Sequence, residues 1–517
     1  MRGSIVLTMP PQRVAATHPA LTPTLLDLLT DLDRRFGARA QRLLEERRER
    51  RARIATGEVA RLVDTQHVRR NHWTVEPVPA NWMERRVEVL GPADRRSIIE
   101  GLNTGAKAYV ADLHDLAAGR SGRSMEAHRA IGRAAKDRLS CIVPEEGRIR
   151  LRGTARTRLA VALRPLGVTE GLVRHGGRPV QAGLFDAAML LHHHGQALLD
   201  RQRGVHVYLH DVQGHLEARW WNDLFDALEE ACSLERGSIR ATVFVDNVIG
   251  ALEAEEVLFE LTPHSAGLAL DNAAYVADHI ALFTGRDNGV FPDRERFGMD
   301  CGLLEALARM VIGVCHRRGA HALGTPGHGL PHTDPGRPKP ALLEMLKDKE
   351  HEAALGMDGT LMAHPELVNA AMTEFNKHMG SSHQFTVQRR EAIAVPDLLT
   401  RPEGDISVDG LVRAIRTGLL GLSAMENGIS RIELDGRTHD RSSVRLALAL
   451  LWHWSVADKG RISASGLDIH DDLIGFLVKK EVEKLYVRPG APERSVLERA
   501  GERLCALVLG TDPPASV

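Results

Sequence analysis

Between residues 106 and 364 the chain repeats one local theme: a short apolar run, a turn, then a stretch of helical periodicity. The runs are AKAYVAD (106–112), RLAVALR (158–164), GVHVYLH (204–210), ATVFVD (241–246), HSAGLAL (264–270), AHALG (320–324) and GTLMAH (359–364). Such runs are of strand length, and strands that alternate with helices require a parallel sheet, because parallel neighbours must be joined by a crossover. Spread over about 250 residues, the alternation suits a (β/α)8 TIM barrel. Seven strands are legible, and the eighth has no clear run of its own.

A polar or special residue stands at or near the end of most runs: Asp112, Arg164, His210, Asp246 and Gly324. In a barrel of this kind the C-terminal strand ends form the mouth that carries chemistry. Asp246, after an otherwise apolar strand, is costly there unless it binds a cation, accepts hydrogen bonds or reacts.

The flanks differ. Residues 21–60 read as a helix, with apolar spacing of i, i+3, i+4, Thr22 as N-cap and Pro23 in the first turn. Within it, RLLEERRERRARIATGE (42–58) alternates charge at helical spacing and reads as a solvated face rather than a nucleic-acid arm. NHWTVEPVPANW reads as an irregular packing strap, VPDLLTRPEGD as a linker, and 406–508 as helical. The expected organisation is an N-terminal helical clasp over 1–95, a barrel over 96–395 and a C-terminal helical plug over 396–517.

Lys plus Arg total 67 against 68 Asp plus Glu, so net charge points to no polyanionic partner. The five cysteines are scattered without a C-x-x-C pair, which fits reduced thiols in a cytoplasmic protein. No apolar run reaches the ~20 residues of a membrane span.

Longer stretches resemble the malate synthase family in its shorter, A-type form. They are RRVEVLGPADRRSIIEGLNTGAKAYVADLHD (85–115), GHLEARWWNDLF (214–225), RGSIRATVFVDNVIGALEAEEVLFELTPHSAGL (236–268), PDRERFGMDCG (292–302), CHRRGAHALG (315–324), GMDGTLMAHPELV (356–368) and LLWHW (450–454). The resemblance runs from about residue 20 to 485. It implies the clasp, barrel and plug, and a chemistry: a carboxylate takes a methyl proton from acetyl-CoA, the enolate attacks glyoxylate, and the resulting thioester is hydrolysed, with an Arg and Mg2+ polarising the reacting oxygens. Enolate formation needs a placed base and nearby positive charge, and Mg2+ needs hard oxygen ligands.

Carried over residue by residue, the resemblance makes Asp440 the base, although as a bare residue before an apolar helix it also reads as an N-cap. The surroundings differ: Thr438-His439-Asp440-Arg441 stands where the family has Met-Glu-Asp-Ala. Arg164 and Gly167 match the family's Arg-Pro-Arg-Gly-Trp, making Arg164 the oxyanion partner. The metal set matches in part. Asp246 stands where the family has a glutamate, and the second metal carboxylate falls on Ala274. Asp271, three positions earlier, can replace it only if the loop is rebuilt. Asp112-Leu113-His114-Asp115 replaces Asp-Phe-Glu-Asp, Asp211-Val212-Gln213-Gly214 replaces Lys-Leu-Glu-Ser, and Gly324-Thr325-Pro326-Gly327-His328 replaces a Gly-Gly-Met-Ala-Ala loop. Gly324, Thr325 and Pro326 are expected to contact the thioester carrier.

The leading reading is therefore an acyltransferase-like enzyme acting on an acyl thioester, with an altered metal and 2-oxo-acid site and condensation or hydrolysis as outcome. An ordinary malate synthase and an inactive scaffold of the same fold stand as alternatives. The expected partners are a small-molecule thioester on CoA or a carrier protein, with Mg2+ in question, and neither nucleic acid nor membrane. LLHHHG (190–195) reads as structural, because adjacent histidines on a helix diverge. Cys315 reads as packed inside. His316, His321, His328 and His332 form a looser set, the last two in the altered mouth loop.

Overall fold

In the computed structural model the described residues are 5–7, 18–58, 65–117, 121–144, 146–153, 156–202, 204–284, 289–331, 340–389, 391, 393–488, 490–510 and 513–514. Eight parallel strands form one sheet: β1 (Val87–Pro92), β2 (Ala108–Asp112), β3 (Arg158–Leu163), β4 (Val205–Leu209), β5 (Ile239–Val245), β6 (Ser265–Leu270), β7 (His321–Leu323) and β8 (Thr360–Met362). Their order is β7-β6-β5-β4-β3-β2-β1-β8. A parallel bridge from Leu323 to Gly359 joins β7 to β8, and the Gly324 N–H donates to the Gly359 carbonyl at 2.8 Å, which closes the ring. The expected (β/α)8 barrel is present.

The strand with no clear run is β1, VEVLGP, so the barrel opens ahead of residue 96. Glu88 breaks its apolar run, yet Glu88 is fully buried and takes a hydrogen bond from Arg85 Nε at 2.8 Å. Arg85 also donates to Tyr208 Oη at 2.6 Å. A charged pair inside the barrel thus hides a core strand from hydropathy.

Side chains alternate across a strand. Val110, Ala162, Tyr208, Phe244, Ala269 and Leu323 fill the interior. Two residues further along each strand, the same face carries Asp112, Arg164, His210, Asp246, Asp271 and Thr325 into the mouth. His210 confirms the alternation, lying stacked on Phe244 at 4.2 Å between ring centroids.

The helix Pro23–Ala55 starts at Thr22, whose hydroxyl accepts from Leu25 N at 3.3 Å. Its apolar face buries Leu25, Leu29, Leu32 and Phe36, the last edge-on to Trp220. Arg42, Arg48 and Arg53 lie on a solvated face as expected, whereas Arg47, Arg50 and Arg51 depart from it. Arg47 pairs with Asp211 and Glu217, both at 2.6 Å, Arg50 with Glu253 at 2.5 Å and Arg51 with Asp278 at 2.7 Å. Glu217, Glu253 and Asp278 are buried, and a buried acid needs a partner, so these cations bind the helix to the barrel.

Beyond the barrel, helices Val408–Glu426, Arg441–Val456, Asp471–Leu485 and Arg494–Val508 pack together, and Arg441–Val456 lies against Asn272–Phe283, the helix after β6. Among the described residues, no helix is long and apolar enough to cross a membrane.

Candidate active site

Asp440 reaches the mouth through backbone hydrogen bonding. Gly327 N donates to Leu361 O at 2.8 Å, and Ala363 N to Gly327 O at 2.9 Å, which fixes the loop after β7 to the end of β8. The same loop holds the hairpin Ile432–Leu434/Arg437–His439: Thr438 N donates to His328 O at 2.8 Å and Leu330 N to Gly436 O at 2.9 Å. The next residue is Asp440. It caps the helix Arg441–Val456, with Oδ1 accepting from Ser443 N at 2.9 Å, and its Oδ2 lies 3.4 Å from His328 Nε2. The N-cap and the placement at the mouth coexist in one side chain. Burial alone would raise this carboxyl, but His328, Arg431 and the Ser443 hydrogen bonds outweigh it and hold it at about 2. Asp440 is therefore ionised at neutral pH.

Arg164 is caged. Its Nε and Nη2 donate to Asp186 at 2.8 and 2.6 Å, and Nη2 lies 2.8 Å from Glu170. Asp186 also accepts from His128 Nε2 at 2.9 Å. Nη1 makes no hydrogen bond among the described residues, and it is the one terminal nitrogen left to meet a ligand.

Each oxygen of Asp246 accepts one hydrogen bond, Asp211 N reaching Oδ2 at 2.7 Å and Asn247 Nδ2 reaching Oδ1 at 2.8 Å. His210 Nδ1 lies 3.7 Å from Oδ2. Asp271 occupies the mouth without any rebuilding of its loop, because it stands two residues beyond the inward-facing Ala269. Its Oδ1 accepts from Ala274 N at 3.0 Å and its Oδ2 from Ser442 Oγ at 2.7 Å. Burial, with Asp440 and Asp246 nearby, pushes Asp271 up to about 6. Ala274 serves as a capping N–H and offers no ligand atom.

Asp246 and Asp271, at the ends of the neighbouring strands β5 and β6, are the carboxylates at this mouth that would hold Mg2+, with Asp271 in place of the family's residue at 274. Among the described residues, one trio of possible ligands has its ligand atoms within 4.8 Å of one another: Asp226, Glu229 and His264. That trio lies at the opposite end of the barrel, where Glu229 accepts from Gly237 N at 2.9 Å and from Ile239 N, at the start of β5, at 2.7 Å. The trio is internally bonded, with His264 Nε2 3.1 Å from Glu229.

Beside Asp440 a cleft of about 550 Å³ runs between the mouth loop and the C-terminal helices, lined by Thr325, Pro326, His328, Arg294, Arg413 and His439 among others. Thr325 is held from below: its N–H donates to Glu352 Oε1 at 3.0 Å, and its carbonyl accepts from the buried Lys349. Gly324 is set back from the cleft, and a Cβ there would meet Glu352 Oε2 at 2.0 Å. Its role is to admit Glu352.

His193, His316 and His321 are bonded within the fold. His193 Nε2 bonds Ala20 O at 2.7 Å, His316 Nε2 lies 3.1 Å from the buried Asp358, and His321 Nε2 bonds Met83 O at 2.9 Å. His332 lies outside the described residues. Cys315 is buried. Sequence reasoning missed Arg431, which donates to Leu90 O at 2.8 Å and lies 3.5 Å from Asp115, because nothing in SRIELDG marks it. It also missed Asp186 and Glu170, whose significance depends on the arginine they enclose.

Residues 160–401 match the family described as malate synthase, TIM barrel domain. The chain is 32% identical to malate synthase of Myxococcus xanthus, over 93% of this chain and 90% of that one. It is likewise 32% identical to malate synthase of Streptomyces clavuligerus, over 94% and 92%. The chain belongs to the malate synthase family. Among solved structures, a Haloferax volcanii malate synthase in ternary complex with pyruvate and acetyl-CoA aligns at a TM-score of 0.45 and 15% identity, covering 80% of this chain and 97% of that one. At the barrel mouth, then, this family member presents Asp440, Arg164 and Asp246 with an alanine at position 274.

Proposed function

We propose that this chain forms an enolate from an acetyl-CoA-type thioester and joins it to a small 2-oxo acid, glyoxylate being the acceptor to test first. The observation that carries this reading is Asp440, an ionised carboxylate 3.4 Å from His328, which lines the cleft. The thioester lies along the cleft against Thr325 and Pro326. Asp440 takes a proton from the methyl group, and the electron pair moves onto the thioester oxygen, where Arg164 Nη1 supports the charge. The enolate carbon then bonds to the acceptor's carbonyl carbon, the new alkoxide is protonated, and water cleaves the thioester to release the thiol.

Family membership favours glyoxylate as acceptor. Asp246 and Asp271, side by side at the mouth, would hold Mg2+ for such an acceptor, although position 274 is an alanine. The clasp, barrel and plug are read as three working parts of one enzyme. A cytoplasmic location is also part of the proposal and rests on five free cysteines.

The test is exchange of the acetyl-CoA methyl protons in D2O, followed by NMR, together with thiol release with and without glyoxylate. Exchange that disappears in Asp440→Asn is expected. Exchange that survives the substitution, or no exchange by the wild type, defeats the reading.

A further inference from the structure

Around Asp440 most arginines are matched with acids. Arg164 lies between Asp186 and Glu170, Arg431 is 3.5 Å from Asp115, Arg413 is 2.9 Å from Glu295 and Arg437 is 2.5 Å from Glu344. Arg294, which lines the cleft with His328 and His439, differs. Its Nη1 donates to His439 Nδ1 at 3.1 Å and its Nη2 to Ser443 Oγ at 3.1 Å. Among the described residues no carboxylate lies within ion-pair distance of it.

These two contacts hold the guanidinium against the base. His439 immediately precedes Asp440, and the Ser443 N–H is the donor to Asp440 Oδ1 at 2.9 Å. The turn Arg294–Arg296 that carries the arginine is itself anchored. Asp293 N donates to Asp405 O at 3.1 Å, and the Asp293 carboxylate accepts from the N–H and the hydroxyl of Ser407, the cap of the helix Val408–Glu426. Gly410 makes room for this, since a Cβ there would meet Asp293 Oδ1 at 1.9 Å.

The partners of Arg294 leave its charge intact. Burial and then Arg294 itself hold His439 down to about 3, so the ring is neutral at pH 7, and Ser443 offers a neutral hydroxyl. Burial and Arg437 lower Arg294 to about 10, which leaves it protonated at neutral pH. Holding a partly buried cation on neutral acceptors alone costs stability, and a local cost of this kind is expected where function requires it. Arg164, by contrast, shares its charge with two acids.

We infer that Arg294 is a catalytic residue, binding the thioester oxygen from the cleft side and taking up its negative charge as the enolate forms. This rests on the enolate reading above and adds a second cation to Arg164. When the methyl C–H bond breaks, the proton passes to Asp440, the electron pair becomes the C=C bond, and the carbonyl pair moves onto the thioester oxygen. Negative charge thus leaves Asp440 and appears on the substrate beside it. Arg294, bonded to the residues on both sides of Asp440, stays in place throughout, the condition under which a fixed donor lowers a barrier.

The test uses the full-length protein at constant Mg2+ and two CoA thioethers that cannot react: S-carboxymethyl-CoA, whose carboxylate stands in for the enolate, and neutral S-ethyl-CoA. In calorimetric titration the wild type is expected to bind the carboxymethyl compound at least about tenfold more tightly. Arg294→Gln keeps hydrogen-bond donors without the charge. It is expected to erase that preference, to bind S-ethyl-CoA within about threefold of the wild type, and to slow methyl exchange at least about 10²-fold. Arg294→Lys, which keeps the charge, is expected to fall between. Equal binding of both thioethers by the wild type, a result that needs no variant to fold, would overturn the inference. So would a preference that survives Arg294→Gln, or an Arg294→Lys protein no better than Arg294→Gln. Wild-type exchange without an Arg294-dependent preference removes this inference alone, whereas an Arg294-dependent preference without exchange removes the enolate reading and leaves an anion site in the cleft.

Discussion

Asp440 both caps a helix and is proposed as the base, and the two roles separate under substitution. Asparagine caps a helix N-terminus about as well as aspartate, so Asp440→Asn keeps an acceptor for the Ser443 N–H and loses the charge. Lowering the carboxyl from 3.8 to about 2 is worth about 2 kcal/mol of stability at 1.36 kcal/mol per decade. Because the folded value is depressed, that stability is present above pH 3.8 and is lost as pH falls through about 2. Asp440→Ala also loses the cap, a further ~1 kcal/mol. Urea unfolding from pH 3 to 8 should place the Asn variant about 2 kcal/mol and the Ala variant about 3 kcal/mol below the wild type from pH 5 upward, with the Asn gap narrowing below pH 4. Both variants should lose methyl exchange by at least about 10²-fold. An Asn variant as stable as the wild type at pH 7 would refute the electrostatic account of the site. An Ala variant no weaker than the Asn variant would refute the cap.

Asp186→Ala leaves Arg164 with Glu170 alone and His128 without its acceptor; a loss of about 3–5 kcal/mol in denaturant unfolding is expected, with slower exchange. Gly324→Ala drives a methyl group into Glu352, which Lys349 and Thr360 hold at 2.9 and 2.7 Å, so about 1–3 kcal/mol and a weaker acetyl-CoA titration should follow. Burial and then Asp112 push Asp115 up to about 7. Since the folded value is raised, stability falls as pH rises from 3.8 to about 7, and Asp115→Asn should melt above the wild type at pH 8 and level with it near pH 4.

The barrel was legible because its signal is local. Runs such as ATVFVD and HSAGLAL sit between the two apolar surfaces of a closed sheet, and that burial selects β-branched and aliphatic residues along a few consecutive positions. β1 escaped because Glu88 is neutralised by Arg85 inside the barrel, a pairing hydropathy does not register. Asp440 and Arg164 were found by position in a family pattern, and the pattern also marked Ala274 as the departure. Arg47, Arg50 and Arg51 were misread because the acids that receive them lie from 164 to 227 residues away.

The sequence by itself determined the alternation of strand and helix, the cap at Thr22 and the carboxylate at each of several strand ends, since each depends on neighbours within a few positions. The tertiary structure alone decided which charges are spent and which are free. It committed Arg164 to Asp186 and Glu170, gave each oxygen of Asp246 one donor, and brought Asp271 inward by the two-residue period of β6. The reason is physical: a side chain's charge depends on what folding places within a few ångströms of it, and at this mouth those groups come from strands and helices far apart in the chain.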